Sequence, residues 1–225
     1  MKFAIVVPAR KGSKSVKNKN LIKINKKHLI EYTLIAANKS DVKLKFILTD
    51  DKKIKKISKK YNFNTEYIRP KKVSHSKASL VDTLLDFIRN TEEKYRYDYL
   101  VVLQPTSPMR DHRDINNAIK LIIKKKATSL ASISESQEHP YEQIIINKKK
   151  WRLLFNKSKR FYRRQDFDIK VFFITGAIYI ISKASILRYK KIITNNHVNF
   201  LMKKLKSLDI NDYEDIEIAK YLLKK

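Results

Sequence analysis

The chain contains no cysteine among its 225 residues. That excludes a disulfide scaffold, thiolate metal sites and a cysteine nucleophile. Glycine is nearly absent as well. At the usual ~7% a chain of this length would carry about sixteen, and this one has two, Gly12 and Gly176. A sequence so poor in glycine should keep it only where no Cβ fits. No apolar run approaches the ~20 residues that a membrane-spanning helix requires. The apolar stretch Phe3–Pro8 is too short for the core of a signal peptide and has no small-residue cleavage site after it. By elimination a soluble cytoplasmic protein is expected, with no membrane partner. Acidic residues are scarce too, 22 against 51 Lys and Arg, which leaves a formal net charge of +29.

That charge invites a nucleic-acid reading. The composition argues against it, because 40 of the 51 cations are Lys and they are spread along the whole chain. Lys is a hydrated point charge, whereas base and phosphate readers favour the Arg fork. Runs such as Lys52-Lys53-Ile54-Lys55-Lys56 sit where a helix would face water. The basic shell is read as a solvated surface that steers small anions toward the protein. With 43% hydrophobic residues the chain can bury a core, and its length suits one domain.

Apolar periodicity sets the organisation. Residues 3–7, 46–48, 65–68, 99–103, 130–133 and 172–181 read as strands. Helical spacing appears over 28–38, at Ile54, Ile57 and Tyr61, from Leu80 to Ile88, from Ile115 to Ile122, and over 212–223. Strands alternating with helices predict βαβ units and a doubly wound, mostly parallel α/β sheet. The rhythm breaks between about 135 and 172, where 143–146 and 151–155 flank a polar turn and read as a hairpin. A single domain over 1–225 with an inserted β-rich lobe is expected.

Ligands of open α/β sheets bind beyond the carboxyl ends of the strands, and four such places carry unusual chemistry. Strand one runs into Pro8-Ala9-Arg10-Lys11-Gly12-Ser13-Lys14-Ser15-Val16-Lys17-Asn18-Lys19-Asn20. Its single glycine fits neither a Walker A loop nor a dinucleotide fingerprint. Glycine, hydroxyls and cations together still make a phosphate cradle. Second, Leu103-Gln104-Pro105-Thr106-Ser107-Pro108-Met109-Arg110 is stiffened by two prolines. Gln104 offers a donor and an acceptor suited to a base or ribose edge, although Asp111 capping the next helix would also explain a rigid turn. Third, Asp209 and Asn211 are two apart and could present two oxygens to one Mg²⁺; from spacing alone an N-cap cluster for the last helix is the better reading. Fourth, Arg163-Arg164-Gln165 precedes Thr175-Gly176-Ala177. Paired arginines can clamp a carboxylate, or they are ordinary surface residues, and Gly176 would let a ligand approach the backbone.

Taken in this order, residues 8–20, 49–51, 69–70, 103–110, 164–165, 176–180 and 209–219 resemble the acylneuraminate cytidylyltransferase (CMP-sialic acid synthetase) family. The resemblance implies a Rossmann-like three-layer nucleotidyltransferase fold, Mg²⁺ dependence and a homodimer in which the β-rich excursion reaches across to the partner. The reaction implied is CTP plus a 2-keto-3-deoxy acidic sugar giving a CMP-sugar and pyrophosphate. Arg10 and Lys19 match the catalytic cations at the triphosphate, and Asp209 the first metal carboxylate, with Asn211 at the second. Asn20, Ser79 and Gln104 match nucleotide or sugar contacts, Ala9, Gly12, Ser13, Lys14, Thr106, Ser107, Arg110 and Gly176 fall in the matching segments and are expected to line the substrates, and Arg164 and Gln165 match the sugar end. The sequence departs from the family in Lys11 for a usual Gly, Thr175 for a usual Asn, and Asn211 for a usual Asp. Rival expectations are another acceptor such as the eight-carbon sugar Kdo, a homologue that binds CTP without turnover, and a basic nucleic-acid-binding protein.

Overall fold

A computed structural model describes residues 1–12, 15–74, 78–148, 150–155 and 169–224. Six strands form the main sheet, in the order β10-β6-β9-β5-β1-β4. They are β1 (Phe3–Pro8), β4 (Leu44–Leu48), β5 (Tyr99–Val102), β6 (Ser129–Glu135), β9 (Phe172–Ser182) and β10 (His197–Leu201). β1 pairs in parallel with β4 and β5, and β10 with β6. Only β9 runs against its neighbours β5 and β6. The mostly parallel α/β expectation therefore holds, with one antiparallel strand in the middle.

Both faces of the sheet are covered, which is why the central strands β1 and β5 are apolar on every residue instead of every second one. On one face Ile5, Val7, Ile47 and Val101 meet α1 (Leu29–Asn38) and α5 (His112–Lys125) through Ile30, Leu34, Ile115 and Ile122. On the other, Ala4, Val6, Phe46, Leu48 and Val102 meet α4 (Leu80–Thr91) and α6 (Lys183–Tyr189) through Leu84, Phe87, Ile88 and Ile186. A smaller cluster places Val16, in the loop after β1, against Ile210 and against Ile216 and Ala219 of α7 (Tyr213–Leu222). That cluster ties the candidate phosphate loop to the end of the chain.

Helix starts are capped as their chemistry requires. Asp51 accepts from Lys53 N and Ile54 N at the start of α2 (Lys52–Lys59), and Asp111 and Asp212 do the same for α5 and α7. Asp50-Asp51 is thus structural, and Asp212 is the cap of the last helix.

Two expectations about strands change. Residues 65–68 do not form one. The segment touches the sheet only through isolated bridges, Phe46 with Asn64 and Thr49 with Ile68, because the chain leaves the edge of β4 to carry Arg69 toward the cleft. The edge strand β10, by contrast, was not read from the sequence. The hairpin in the excursion is present as β7 (Ile144–Asn147) and β8 (Lys150–Leu153), antiparallel. A further short pair, β2 (Lys23–Ile24) and β3 (Lys27–His28), precedes α1, and the four-residue α3 (Lys71–Ser74) follows Arg69-Pro70. Among the described residues no helix is long and apolar enough to cross a membrane.

Candidate active site

A cleft of about 420 Å³ opens at the carboxyl ends of β1 and β5. Arg10, Ser15, Lys19, Asn20, Arg69, Thr83, Gln104 and Thr106 line it. The loop after β1 is held by several anchors. Ala9 is buried and its N–H extends the sheet to the Leu48 carbonyl at 3.0 Å. Lys11 N donates to Asp50 Oδ1 at 2.6 Å, and Arg10 Nη1 to the Gly12 carbonyl at 2.8 Å. Gly12 has φ +74, with open space where a Cβ would stand. Its glycine is needed for backbone conformation and leaves room beside it. Asn20 Nδ2 reaches back to the Arg10 carbonyl at 3.5 Å. Ser13 and Lys14 lie outside the described residues, as do Arg163, Arg164 and Gln165.

Lys19 is only 8% exposed. Its ammonium donates to the Ile210 and Asn211 carbonyls at 2.8 and 2.9 Å. Ser15 Oγ donates to the same Asn211 carbonyl at 2.8 Å. Two of the three ammonium donors are thereby committed to the segment that carries Asp209, and one remains for a ligand. From the other side Ile210 N donates to the Thr106 carbonyl at 2.8 Å. Lys206, just upstream, donates to Asp111 and Asp114 at 2.8 Å. The Asp209 segment is therefore braced between the β1 loop, the Pro105–Pro108 turn and the start of α5.

Asp209 itself is half-buried, with its Oδ1 sealed from solvent and lacking a hydrogen-bond partner. Burial pushes its pKa up, while the Thr106 hydrogen bond and the Lys19 charge pull it down, and burial prevails. An orphaned carboxylate oxygen beside a phosphate-sized cleft is what a Mg²⁺ ligand would offer, since Mg²⁺ needs only one or two carboxylates plus substrate phosphates. Among the described residues no group of three or more acidic or histidine side chains converges. Asn211 is exposed; its side chain donates to the Asp209 carbonyl at 3.3 Å and its N–H to Asp215 Oδ2 at 2.7 Å.

Three expectations at this site are corrected. Arg110 cannot touch a substrate in the cleft, because it is 2% exposed and its guanidinium faces inward to backbone carbonyls and Thr33. Ser107 is buried as well and is not part of the cleft lining; its Oγ has no hydrogen-bond partner among the described residues. Gly176 does not make room for a ligand. A Cβ there would stand 2.9 Å from Gln104 Oε1, so the atom that needs the space is the Gln104 amide. Ser79 caps α4, accepting from Asp82 N at 3.0 Å, while its neighbours Ala78 and Leu80 line the cleft. Thr175, where the family usually has Asn, is buried and hydrogen-bonded to Ser132 Oγ at 2.7 Å.

Arg69, which the sequence marks only as part of the Arg69-Pro70 pair, reaches the cleft. Its Nε and Nη2 donate to the Val73 carbonyl, and Nη2 also to Thr83 Oγ1 at 2.9 Å. Burial lowers its pKa, opposed by Asp50, and it stays a cation at neutral pH. An Arg in a chain whose cations are mostly Lys was the available signal. Arg10, Lys19 and Arg69 thus converge on one cleft that also presents an amide, an arrangement able to hold a nucleotide and its phosphates.

A family model described as cytidylyltransferase matches residues 4–223. The chain belongs to the cytidylyltransferase family. This member is 29% identical over 220 residues to the post-translational flagellin modification protein B of Campylobacter coli, covering 96% of this chain and 93% of that protein. It is 32% identical over 223 residues to the N-acylneuraminate cytidylyltransferase of Escherichia coli O18:K1:H7, covering 97% of this chain and 51% of that one. The cytidylyltransferase chain therefore spans nearly all of one relative and about half the length of the other. Among solved structures, a CMP:2-keto-3-deoxy-manno-octonic acid synthetase complexed with CTP superposes with a TM-score of 0.71 at 15% identity, over 99% of this chain and 98% of that one. That likeness establishes the nucleotidyltransferase fold.

Proposed function

We propose that this cytidylyltransferase transfers CMP from CTP to a nine-carbon 2-keto-3-deoxy acidic sugar of the sialic, legionaminic or pseudaminic type, releasing pyrophosphate. The observation that carries the nucleotide half is the convergence of Arg10, Lys19 and Arg69 with Gln104 at the carboxyl ends of β1 and β5. The acceptor half is supported by the 32% identity to an N-acylneuraminate cytidylyltransferase.

The sugar's anomeric hydroxyl attacks the α-phosphorus in line, and the bond to the leaving pyrophosphate breaks as the new P–O bond forms. Positioning and charge neutralisation supply most of the catalysis in such transfers. Arg10, at the rim, and the one uncommitted Lys19 donor face the charge that develops on the phosphates. Asn20 and Gln104 present amides for the nucleotide or sugar edge. Asp209, with Asn211 beside it, is the group that would hold Mg²⁺, whose charge when bound would acidify the attacking hydroxyl.

A homodimer belongs to the same proposal. The hairpin exposes Ile146 (70%) and Trp151 (68%), which stand opposite each other across β7 and β8, and Phe155, Phe172 and Phe173 are exposed as well. Large exposed apolar side chains call for a covering surface, and a second copy of the excursion supplies one.

The test is pyrophosphate release from CTP with N-acetylneuraminic, legionaminic and pseudaminic acids and with Kdo, each with and without Mg²⁺. Turnover with a nine-carbon acid is expected. Turnover with Kdo alone moves the protein to the eight-carbon acceptor. Failure with every acceptor, together with strongly salt-dependent binding to nucleic acid, would replace the proposal with the polyanion-binding reading.

A further inference from the structure

Arg110 carries a charge into the interior with no carboxylate in ion-pair reach among the described residues. Such burial is expensive, and with Asp114 attracting the charge only from beyond contact distance the ion depends on its hydrogen bonds. Its partners are specific. Nη1 donates to the Gln104 carbonyl at 3.2 Å and to the Ala177 carbonyl at 2.7 Å. Nη2 donates to Thr33 Oγ1 at 2.6 Å, and Thr33 Oγ1 in turn donates to the Gln104 carbonyl at 3.4 Å. One nitrogen therefore bridges the end of β5 to the start of the buried part of β9. Those are the two backbones whose side-chain meeting is Gln104 against Gly176, where a Cβ would come within 2.9 Å of Oε1.

From this closed arrangement we infer that Arg110 is a positioning residue: its fork fixes the Gln104 backbone against Gly176–Ala177 so that the Gln104 amide is aimed into the cleft. The inference rests on the reading of Gln104 as a substrate contact. Lysine keeps the charge but offers a rotating ammonium on a thinner stem, with no planar fork to span both carbonyls and Thr33. A buried cation acting only as structure would lower stability when replaced. A positioning cation must also change how the cleft binds, and only through Gln104.

A double-mutant cycle separates these. CTP binding is measured by calorimetry, and kcat and KM for CTP and acceptor by pyrophosphate release, on wild type, Gln104→Ala, Arg110→Lys and the double variant. Each rate is normalised to folded protein. Gln104→Ala identifies which parameter the amide controls. Arg110→Lys should move that same parameter by about tenfold, a shift of about 1.4 kcal/mol, and should add nothing in the Gln104→Ala background. Additive effects, or a loss confined to melting temperature, overturn the positioning role while leaving Gln104 as a contact. If Gln104→Ala moves nothing, the reading of Gln104 fails, and the positioning role falls with it. Should Arg110→Lys not fold, Thr33→Val replaces it in the cycle, because it removes the Nη2 acceptor and one of the three donors on the Gln104 carbonyl while keeping the side chain's shape.

Discussion

Replacing Gly176 with alanine would separate two burdens that meet at one backbone position. The first is conformational. Gly176 sits at φ +73, and an L residue held in the left-handed region costs roughly 1–2 kcal/mol. For a chain of this size each kcal/mol lowers the melting temperature by about 2–4 °C, so a drop of roughly 2–8 °C is expected. The second is steric and local. The new Cβ would lie 2.9 Å from Gln104 Oε1, 3.3 Å from Cδ and 3.6 Å from Nε2. These atoms are the mobile end of a side chain, so the amide yields and the backbone keeps its place. Relieving the contact takes about half an ångström, near the tolerance within which functional groups must be held, and a misplacement of ~1 Å can cost ~100-fold in rate. Gly176→Ala should therefore lower kcat/KM about tenfold in pyrophosphate-release assays, on top of the thermal shift. In a Gln104→Ala background the same substitution meets no amide. The thermal shift should remain, and the catalytic loss should vanish. Unchanged kcat/KM in the single variant, or an equal loss in both backgrounds, would refute the idea that Gly176 exists to admit Gln104.

Arg10→Ala should cut turnover by two or more orders of magnitude while circular dichroism and melting stay near wild type, since among the described residues the Arg10 side chain makes one hydrogen bond, to the Gly12 carbonyl; near-normal turnover would remove it from the phosphate site. For Asp209 the sign follows from burial. Its pKa in the folded chain is raised, so its contribution to stability is full below the unfolded carboxylate pKa and is lost as pH rises through the folded value. Asp209→Asn should then raise the melting temperature of the ligand-free protein at pH 7–8, converge with wild type near pH 4, and abolish turnover. A melting curve that falls at neutral pH instead would mean that the Thr106 hydrogen bond and the Lys19 charge outweigh burial. At the excursion, Ile146→Lys with Trp151→Ser should convert a dimer to monomers in sedimentation velocity; an unchanged mass would place the contact elsewhere.

Much of the fold was legible because burial on two faces leaves a plain mark. The runs Phe3–Pro8 and Tyr99–Val102 are apolar without interruption, and only a strand covered by helices on both sides needs that. The edges were less legible for the same reason. β10 alternates half-buried and exposed residues, so His197–Leu201 has no continuous run to announce it. Residues 65–68 show the opposite failure. Thr65, Tyr67 and the residues between them alternate as a strand should, with Tyr67 buried and Ile68 exposed. The Tyr67 hydroxyl is hydrogen-bonded to Asp86 of α4 at 2.8 Å, so the alternation serves a tether that is not a ladder.

At the site, the sequence marked positions better than it marked partners. Two glycines in 225 residues mark places where a Cβ has no room or no permitted φ, but nothing in a sequence says which atom fills the space. The same ambiguity governs the cations. Lys19 and Arg110 both lie in motif segments and both read as anion contacts, because residue type carries charge and says nothing of direction. In the folded chain Lys19 divides its donors between two carbonyls and the cleft, whereas Arg110 turns all its satisfied donors inward. Each cation so bound fixes a loop whose own chemistry is modest: Lys19 holds the segment of Asp209, and Arg110 holds the backbone of Gln104. A strongly basic protein can therefore aim its acid and its amide by burying positive charge behind them. In a chain with a net charge of +29, the cations that matter most to the cleft include those that a bound anion never meets.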